Sequence, residues 1–392
     1  MSVRQYYIDW LRIILILSVF LYHVGMIFSD MHWHIKNDVQ ISFMQPLLAF
    51  LHVWRIPLLF LVSGVSSFYA LGSRTPKMFL RERFKRLIIP FVFGLIILVP
   101  VQVYLEKIAQ YDSIFIFYTE FFHGIYPKGN FTWSHLWFIF YLFVFALLIS
   151  PFLTYIRSKK FKRLQEKLIN ICEAKLGINV LLIPLLSTQI LVYPFLPGGS
   201  HYTYDVLFFL FGICIFSNRR IVTAIQKQRR LYLNQSVFFA VILMAPHLFD
   251  LGKYDHMTQY FASVILALSC SMAALGYAKQ YLNIDSKFRK VANEAIYPFY
   301  LLQQPVIVII AFFIVKLQLP AMAKLFTITI IAFGVSVAIY WFLVRPFNAM
   351  RIFFGMKPIH VKTPQPFPIV LFNILYPPKQ HLNLNMRLKR SA

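Results

Sequence analysis

Charged residues are scarce in this sequence, and acidic residues are the scarcer kind. Only 14% of the 392 residues are charged, whereas 59% are hydrophobic and the mean hydropathy is +0.65. A soluble globular domain carries about 25% charged residues, because its surface must be solvated by water. The composition therefore excludes an ordinary soluble domain and favours a protein whose solvent is the membrane.

Cysteine is nearly absent, since the chain holds only Cys172, Cys214 and Cys270. An odd and sparse set of cysteines does not form a disulfide framework, and no C-x-x-C motif occurs. Cysteine and histidine spacings typical of metal ligands are also missing. We therefore predict no metal site and no cofactor.

The shortage of acidic residues leaves a strongly basic chain, with 14 Asp and Glu against 39 Lys and Arg and a net charge of +25. In a soluble protein this balance would suggest nucleic-acid binding. Here the basic residues lie in short segments between apolar runs, which is typical of the cytoplasmic loops of membrane proteins. The sequence therefore predicts no nucleic-acid partner.

Long apolar runs dominate the chain, and about ten of them approach the roughly 20 residues that a transmembrane helix needs. The first run is too long for a signal peptide and has no A-x-A site after it, so we interpret it as a retained span. We predict an all-α, polytopic bundle of about ten transmembrane helices. The candidate spans are residues 8–29, 44–72, 87–104, 134–156, 177–196, 203–217, 231–249, 256–277, 294–316 and 322–344.

Most Lys and Arg residues fall in alternate connecting segments, which predicts that both termini face the cytoplasm. Residues 1–347 form the predicted transmembrane domain. Residues 348–392 are basic and rich in proline, so we expect a cytoplasmic tail that lies against anionic lipid.

Ionisable groups inside a bilayer are costly, so each one is a candidate functional residue. His23 lies about 15 residues into the first span, roughly 22 Å across the membrane, where a neutral imidazole can take a proton from a hydroxyl. His52 and Arg55 are one helical turn apart on the second span at a similar depth. The alternative for His23 is a structural hydrogen bond to a neighbouring helix.

Charged residues also mark the cytoplasmic ends of two spans. Asp9 and Arg12 can form a structural ion pair, or Arg12 can face a phosphate-bearing donor. Arg83 and Arg86 belong to a basic loop, residues 81–86, which can bind phosphate through bidentate contacts or can simply signal topology and contact lipid head groups.

Two further polar residues are candidates for an outer cavity. His135 lies between two tryptophans at the start of the fourth span, where tryptophan anchors the lipid interface. Gln303 brings an amide to mid-membrane depth shortly before Pro305, whose ring frees backbone groups of the preceding turn.

In order and spacing, these motifs resemble the acyltransferase-3 family of membrane O-acyltransferases. The resemblance covers nearly all of the predicted transmembrane domain. The matching stretches are Tyr7-Ile8-Asp9-Trp10-Leu11-Arg12 leading to Tyr22-His23, Phe60-Leu61-Val62-Ser63-Gly64, Arg83 to Arg86 with Pro90, Ser134-His135-Leu136-Trp137-Phe138, and Tyr297-Pro298-Phe299-Tyr300-Leu301-Leu302.

The resemblance implies an enzyme in the inner membrane of a bacterium that uses acyl-CoA as a co-substrate. It implies that His23 is the catalytic residue. It also implies that Arg83 and Arg86, to which we add Arg12, contact the phosphates of a cytoplasmic acyl-CoA. The acceptor hydroxyl would arrive from the opposite side.

Within the family the chain is most similar to a branch of glucan succinyltransferases, on the strength of Trp33, His34 and the stretch from His52 to Arg55. This likeness implies transfer of a succinyl or acetyl group to a periplasmic glucan or another envelope saccharide. We expect an acceptor side, with an oxyanion donor, built from the following residues: Arg55, His52, Trp33, His34, His135 and Gln303.

One residue departs from the family pattern. Relatives often carry histidine where this chain has Gln303, and an amide can form hydrogen bonds but cannot act as a general base. This residue favours a second hypothesis, a binding protein that has lost catalysis. A further hypothesis is a transporter or flippase of an anionic or sugar-bearing solute, whose path Arg55, His23 and His52 would line.

Overall fold

The computed structural model describes residues 5–71, 74–191, 200–249 and 256–359, which fold into helices joined by loops, with no β-strand in these ranges. The first six helices are α1 (Tyr6–Met26), α2 (Met44–Leu71), α3 (Pro76–Glu106), α4 (Ile114–Glu120), α5 (Ser134–Ile156) and α6 (Lys159–Glu173). The others are α7 (Leu182–Leu191), α8 (Ser200–Cys214), α9 (Arg219–Phe249), α10 (His256–Tyr281), α11 (Lys287–Ile314), α12 (Ala321–Val344) and α13 (Asn348–Phe353).

Seven helices of the described residues are long and apolar enough to cross a membrane by themselves, namely α1, α2, α3, α5, α10, α11 and α12. Helices α8 and α9 reach that standard only as a pair, and their axes bend by 112° between them. The apolar helix Gly177–Thr188 is shorter, and the predicted fifth span continues into residues 192–199, outside the described ranges. An all-helical membrane bundle is thus confirmed, while the count of about ten spans and the orientation stay predictions.

The basic segment 81–86, predicted as a loop, is helical, and this is a correction. Thr75 caps the start of α3 by accepting from the Met78 N–H, and Pro76 follows at the first helical position. Wide π-turns at Phe84–Ile88 and Gly94–Leu98 precede two prolines of the same helix. Because proline has no N–H and its ring crowds the preceding turn, a locally wider turn lets the helix continue.

Helix α1 is central to the bundle, since it contacts α2, α10, α11 and α12. Helices α2 and α8 cross at unusually close range. A Cβ added to Gly64 would lie 2.1 Å from the Phe209 carbonyl oxygen, and one added to Gly212 would lie 2.2 Å from that of Leu61. Only glycine therefore fits at these two positions, as small residues do at close helix contacts in membranes.

Asp9 has a different main partner from the one predicted. Arg289 of α11 is fully buried and forms hydrogen-bonded ion pairs with Asp9 and with Asp285. The predicted contact between Asp9 and Arg12 is a long one, at 4.0 Å. The Asp9 carboxylate thus ties α1 to α11, and spacing along one helix did not reveal this long-range partner.

The compact unit that contains these helices ends at Met356. Helix α13 belongs to it, because Arg351 is buried and pairs with Glu294 at 2.9 Å. Most of the predicted basic tail, from residue 360 onward, lies outside the described residues.

Candidate active site

A cavity of about 250 Å³ lies near the C-terminal end of α1. Its walls come from α1, from the loop that follows α1, from the loop before α5, and from α5 and α11. Ten side chains line it: His23, His32, Trp33, His34, Tyr126, Thr132, Ser134, His135, Trp137 and Gln304. Four residues predicted from separate parts of the sequence, His23, Trp33, His34 and His135, therefore meet in one place.

His23 is held in this cavity by an amide from α11. The side-chain amide of the buried Gln303 lies at His23 Nδ1, with its oxygen at 3.1 Å and its nitrogen at 2.9 Å. The indole ring of Trp33 lies 5.0 Å from the imidazole, centroid to centroid. Gln303 thus positions His23 through Nδ1, which leaves Nε2 as the nitrogen for a ligand.

A carboxylate organises the mouth of the cavity. His34 donates from Nδ1 to Glu106 Oε2 at 2.5 Å, and the Tyr126 hydroxyl donates to the two Glu106 oxygens at 2.9 and 3.1 Å. Burial, together with the Glu106 carboxylate, raises the pKa of Tyr126, so its phenol stays a hydrogen-bond donor. The sequence prediction missed Glu106 and Tyr126. The signal for Glu106 was an acidic residue at the end of an apolar span in a chain with only 14 acidic residues.

A polar network forms the opposite wall. The Gln304 amide nitrogen donates to Gln102 Oε1 at 2.9 Å and to Ser134 Oγ at 2.8 Å. His135 shares a hydrogen bond with the Leu301 carbonyl at 3.0 Å through Nε2. Ser134 has a φ of 45°, in the left-handed region of backbone conformation that residues other than glycine rarely adopt. Such local strain is common at functional sites, where the surrounding contacts stabilise it.

The predicted pair on α2 does not line the cavity. Arg55 is buried, at 3% exposure, and its Cζ lies 3.8 Å from the ring centroid of Tyr22. His52 stacks on Tyr22 with centroids 6.2 Å apart. Neither residue lines this cavity, and their assignment to the acceptor side stays a prediction.

The predicted donor residues lie near one another, Arg12 on the N-terminal half of α1 and Arg83 and Arg86 on α3. Arg83 is within electrostatic range of both Arg86 and Arg12, and its guanidinium lies 5.0 Å from the Phe79 ring centroid. Arg12 donates to Ser66 and, at 3.2 Å, to the Asn293 side chain. The fold thus brings positive charge from α1 and α3 into one region, and phosphate binding there stays a prediction.

The loop after α1 is fixed by a lysine. Lys36 Nζ donates to the backbone carbonyls of Met26 and Met31, both at 2.9 Å, and to that of Ser29. A charged donor that satisfies three carbonyls holds this loop in one conformation. The positions of Trp33 and His34 in the cavity wall depend on this loop.

A second lysine fixes the loop before α5. Lys107 Nζ donates to the carbonyls of Pro127 at 3.3 Å and Gly129 at 2.7 Å, and to Asn130 Oδ1 at 3.0 Å. Lys107→Met should lose these bonds and speed amide hydrogen exchange in this loop by about tenfold or more, the equivalent of one or two charged hydrogen bonds. Lys128→Met, an exposed change in the same loop, is the control and should leave the exchange rates unchanged. Equal rates in the two variants would contradict the role given to Lys107.

Among the described residues no group of three or more His, Cys, Asp or Glu side chains is arranged to hold a metal ion. The side chains that line the cavity carry imidazole, amide, hydroxyl and indole groups.

Comparison with known proteins decides the family. The family model described as an acyltransferase domain matches residues 5–344. The chain belongs to the acyltransferase-3 family. That membership, predicted from the motifs, is confirmed over nearly the whole chain.

Two similar curated proteins carry the same name. Glucans biosynthesis protein C of Escherichia coli (strain SMS-3-5 / SECEC) is 27% identical over 232 residues, which is 54% of this chain and 56% of that protein. The protein of the same name from Escherichia coli O1:K1 / APEC is 24% identical over 310 residues, 72% of this chain and 77% of the relative. The first match thus spans just over half of that relative's length. No solved structure matches the chain.

Proposed function

We propose that this membrane acyltransferase moves a succinyl or acetyl group from cytoplasmic acyl-CoA to a hydroxyl of a periplasmic or other envelope glycan. The observation that carries the proposal is the position of His23 in a polar cavity, on the helix that also brings Arg12 to the basic region of α3. The name of the relatives supports a glucan as the acceptor. The proposed location is the inner membrane of a bacterium, with the basic residues after 347 on anionic lipid.

His23 is the proposed general base. With the Gln303 oxygen turned toward Nδ1–H, Nε2 carries the lone pair and takes the proton of the acceptor hydroxyl. The acceptor oxygen then attacks the thioester carbonyl carbon, the carbon–sulfur bond breaks, and the CoA thiolate leaves and recovers the proton. Arg55, behind the Tyr22 ring, stabilises the developing oxyanion by its charge rather than by direct contact.

The donor would reach His23 along α1. Arg12 and His23 are eleven residues apart, which is close to three helical turns, so both side chains lie on one face about 17 Å apart along the axis. Guanidinium groups bind phosphate in bidentate geometry, and Arg83 and Arg86 add two more of them beside Arg12. Phosphates held there leave the acyl end of the donor free to extend toward the cavity.

The proposal is tested by incubating the purified protein in detergent with labelled succinyl-CoA or acetyl-CoA and a neutral gluco-oligosaccharide. Acylated saccharide and free CoA thiol in equal amounts are expected. Family membership favours this outcome over a carrier, which would give solute flux in vesicles without acylation. Absence of acyl transfer to saccharide with both donors would refute the proposal.

Arg83→Gln combined with Arg86→Gln should raise the KM for acyl-CoA by about 10- to 100-fold, because two charged phosphate contacts are lost. The KM for the saccharide should stay unchanged. Arg81→Gln combined with Lys85→Gln removes the same two charges from exposed side chains of the same basic segment, and this pair serves as the matched control. If the control pair has the same effect as the Arg83 and Arg86 pair, overall charge and not a phosphate site explains the result.

A further inference from the structure

Two histidines in the cavity wall have protons whose positions are set by their partners. His34 Nδ1 faces a carboxylate oxygen of Glu106 at 2.5 Å, and His135 Nε2 faces the Leu301 carbonyl oxygen at 3.0 Å. Both oxygens can only accept a hydrogen bond, so those two nitrogens carry hydrogen. In the neutral rings the other nitrogens, His34 Nε2 and His135 Nδ1, therefore present lone pairs.

Neither lone pair is used within the described protein. His135 is 5% exposed, and its Nδ1 is buried without a hydrogen-bond partner. The His34 side chain is 7% exposed and forms its hydrogen bond through Nδ1 alone. The indole Nε1–H of Trp33, another wall residue, is a buried donor that also has no partner. Unsatisfied buried polar atoms destabilise a fold, and a ligand with matching groups would remove that cost.

We propose that these three atoms form a subsite for two hydroxyl groups of a neutral saccharide. His34 Nε2 and His135 Nδ1 each accept from one hydroxyl, and Trp33 Nε1–H donates to a ligand oxygen. This subsite rests on the proposed function and deepens it, because it defines the acceptor as a neutral polyol.

The same chemistry explains which acceptors are excluded. A carboxylate in place of either bound hydroxyl offers only acceptor atoms, so it leaves the histidine lone pair at that position unpaired. It also brings a negative charge close to Glu106, which is held at the cavity mouth by His34 and Tyr126. The aromatic faces of Trp33 and Trp137 meanwhile offer apolar surface to the C–H groups of a sugar ring.

The test uses His34→Asn in the full chain. The asparagine amide nitrogen takes the position of Nδ1 and keeps a donor for Glu106, while the accepting nitrogen is lost. Affinity for a neutral gluco-heptasaccharide, titrated by tryptophan fluorescence, should fall by about tenfold, the equivalent of one buried hydrogen bond. The KM for acyl-CoA should not change.

The chain supplies a matched control in His123→Asn. His123 Nδ1 pairs with Glu120 Oε2 at 2.6 Å, in the same histidine–carboxylate geometry, but both side chains are exposed and lie outside the cavity. This variant should bind the heptasaccharide like wild type. Glu106→Gln is the second variant if His34→Asn is unstable. Its amide nitrogen donates to Nδ1 and so reverses the tautomer, which should also weaken saccharide binding.

Binding is measured without turnover, so the outcomes separate the two claims. Heptasaccharide binding that weakens in His34→Asn but not in His123→Asn supports the subsite, even in a protein that transfers no acyl group. Unchanged affinity in both His34→Asn and Glu106→Gln overturns the subsite while leaving acyl transfer intact. Equal affinity of wild type for a matched uronic acid oligosaccharide overturns it as well.

Discussion

Replacing His23 with alanine is expected to lower the rate of acyl transfer by about a hundred- to ten-thousandfold, the range over which a positioned general base acts. His23 lines the cavity and is held through Nδ1 by Gln303, so its loss removes the proton acceptor without removing a buried charge. Release of CoA thiol in the presence of saccharide measures the rate. The thermal unfolding midpoint in detergent should stay close to that of wild type.

His123→Ala is the control for this experiment, because His123 is exposed and lies outside the cavity. It should retain the wild-type rate. A His23→Ala protein that transfers acyl groups at more than a tenth of the wild-type rate would remove His23 from the mechanism. The cavity would then hold a different base.

The largest expected effect on stability comes from Arg289→Met. Arg289 is fully buried, binds both Asp9 and Asp285, and lies 4.7 Å from the Tyr6 ring centroid. Removing it takes a buried cation away from the Asp9 carboxylate, and breaking a buried ion pair in this way costs about 3–5 kcal/mol. The unfolding midpoint in detergent should therefore fall strongly.

Lys290→Met is the matched control for Arg289→Met. Lys290 is the next residue, is exposed, and contacts Asp285 at 3.4 Å, so its loss should cost under about 1 kcal/mol. Adding Asp9→Asn to Arg289→Met should recover part of the stability, because one buried charge is then gone. Equal midpoints for the Arg289 and Lys290 variants would show that the buried ion pairs do not hold α1 to α11.

Long apolar runs predicted most of the helices because length and hydropathy are local properties. Helix α1 was predicted at residues 8–29 and runs from Tyr6 to Met26. Hydropathy placed the start of the third span too late, at residue 87, whereas α3 begins at Pro76. The basic stretch 81–86 belongs to this helix, and a π-turn lets the helix continue past Pro90. The bend between α8 and α9 depends on packing against other helices, which the hydropathy pattern does not contain.

The candidate site was predictable where a single residue was unusual for its depth. His23 stood out because an imidazole inside a membrane is costly. The roles of Glu106 and Gln102 could not be predicted, because their hydrogen-bond partners His34 and Gln304 lie 72 and 202 residues away along the chain. Spacing within one helix carries no information about such pairs.

The roles of Lys36 and Lys107 could not be predicted from the charge pattern. Both lie in the less basic set of connecting segments, which the pattern predicts to be on the outer side. In the structure each of them satisfies three oxygens of a loop that forms the cavity. The distribution of charges along a sequence predicts membrane topology, but it does not reveal which lysines bind backbone carbonyls.

The central claim of the proposed mechanism is that the two substrates reach His23 from opposite sides of the membrane. The acceptor alcohol comes from one compartment and the thioester from the other. The most direct measurement encloses labelled acyl-CoA inside proteoliposomes and supplies neutral gluco-oligosaccharide only outside. The account predicts labelled saccharide outside and free CoA thiol inside, with neither product formed by His23→Ala vesicles. Acylation that occurs only when donor and saccharide share a compartment would contradict it.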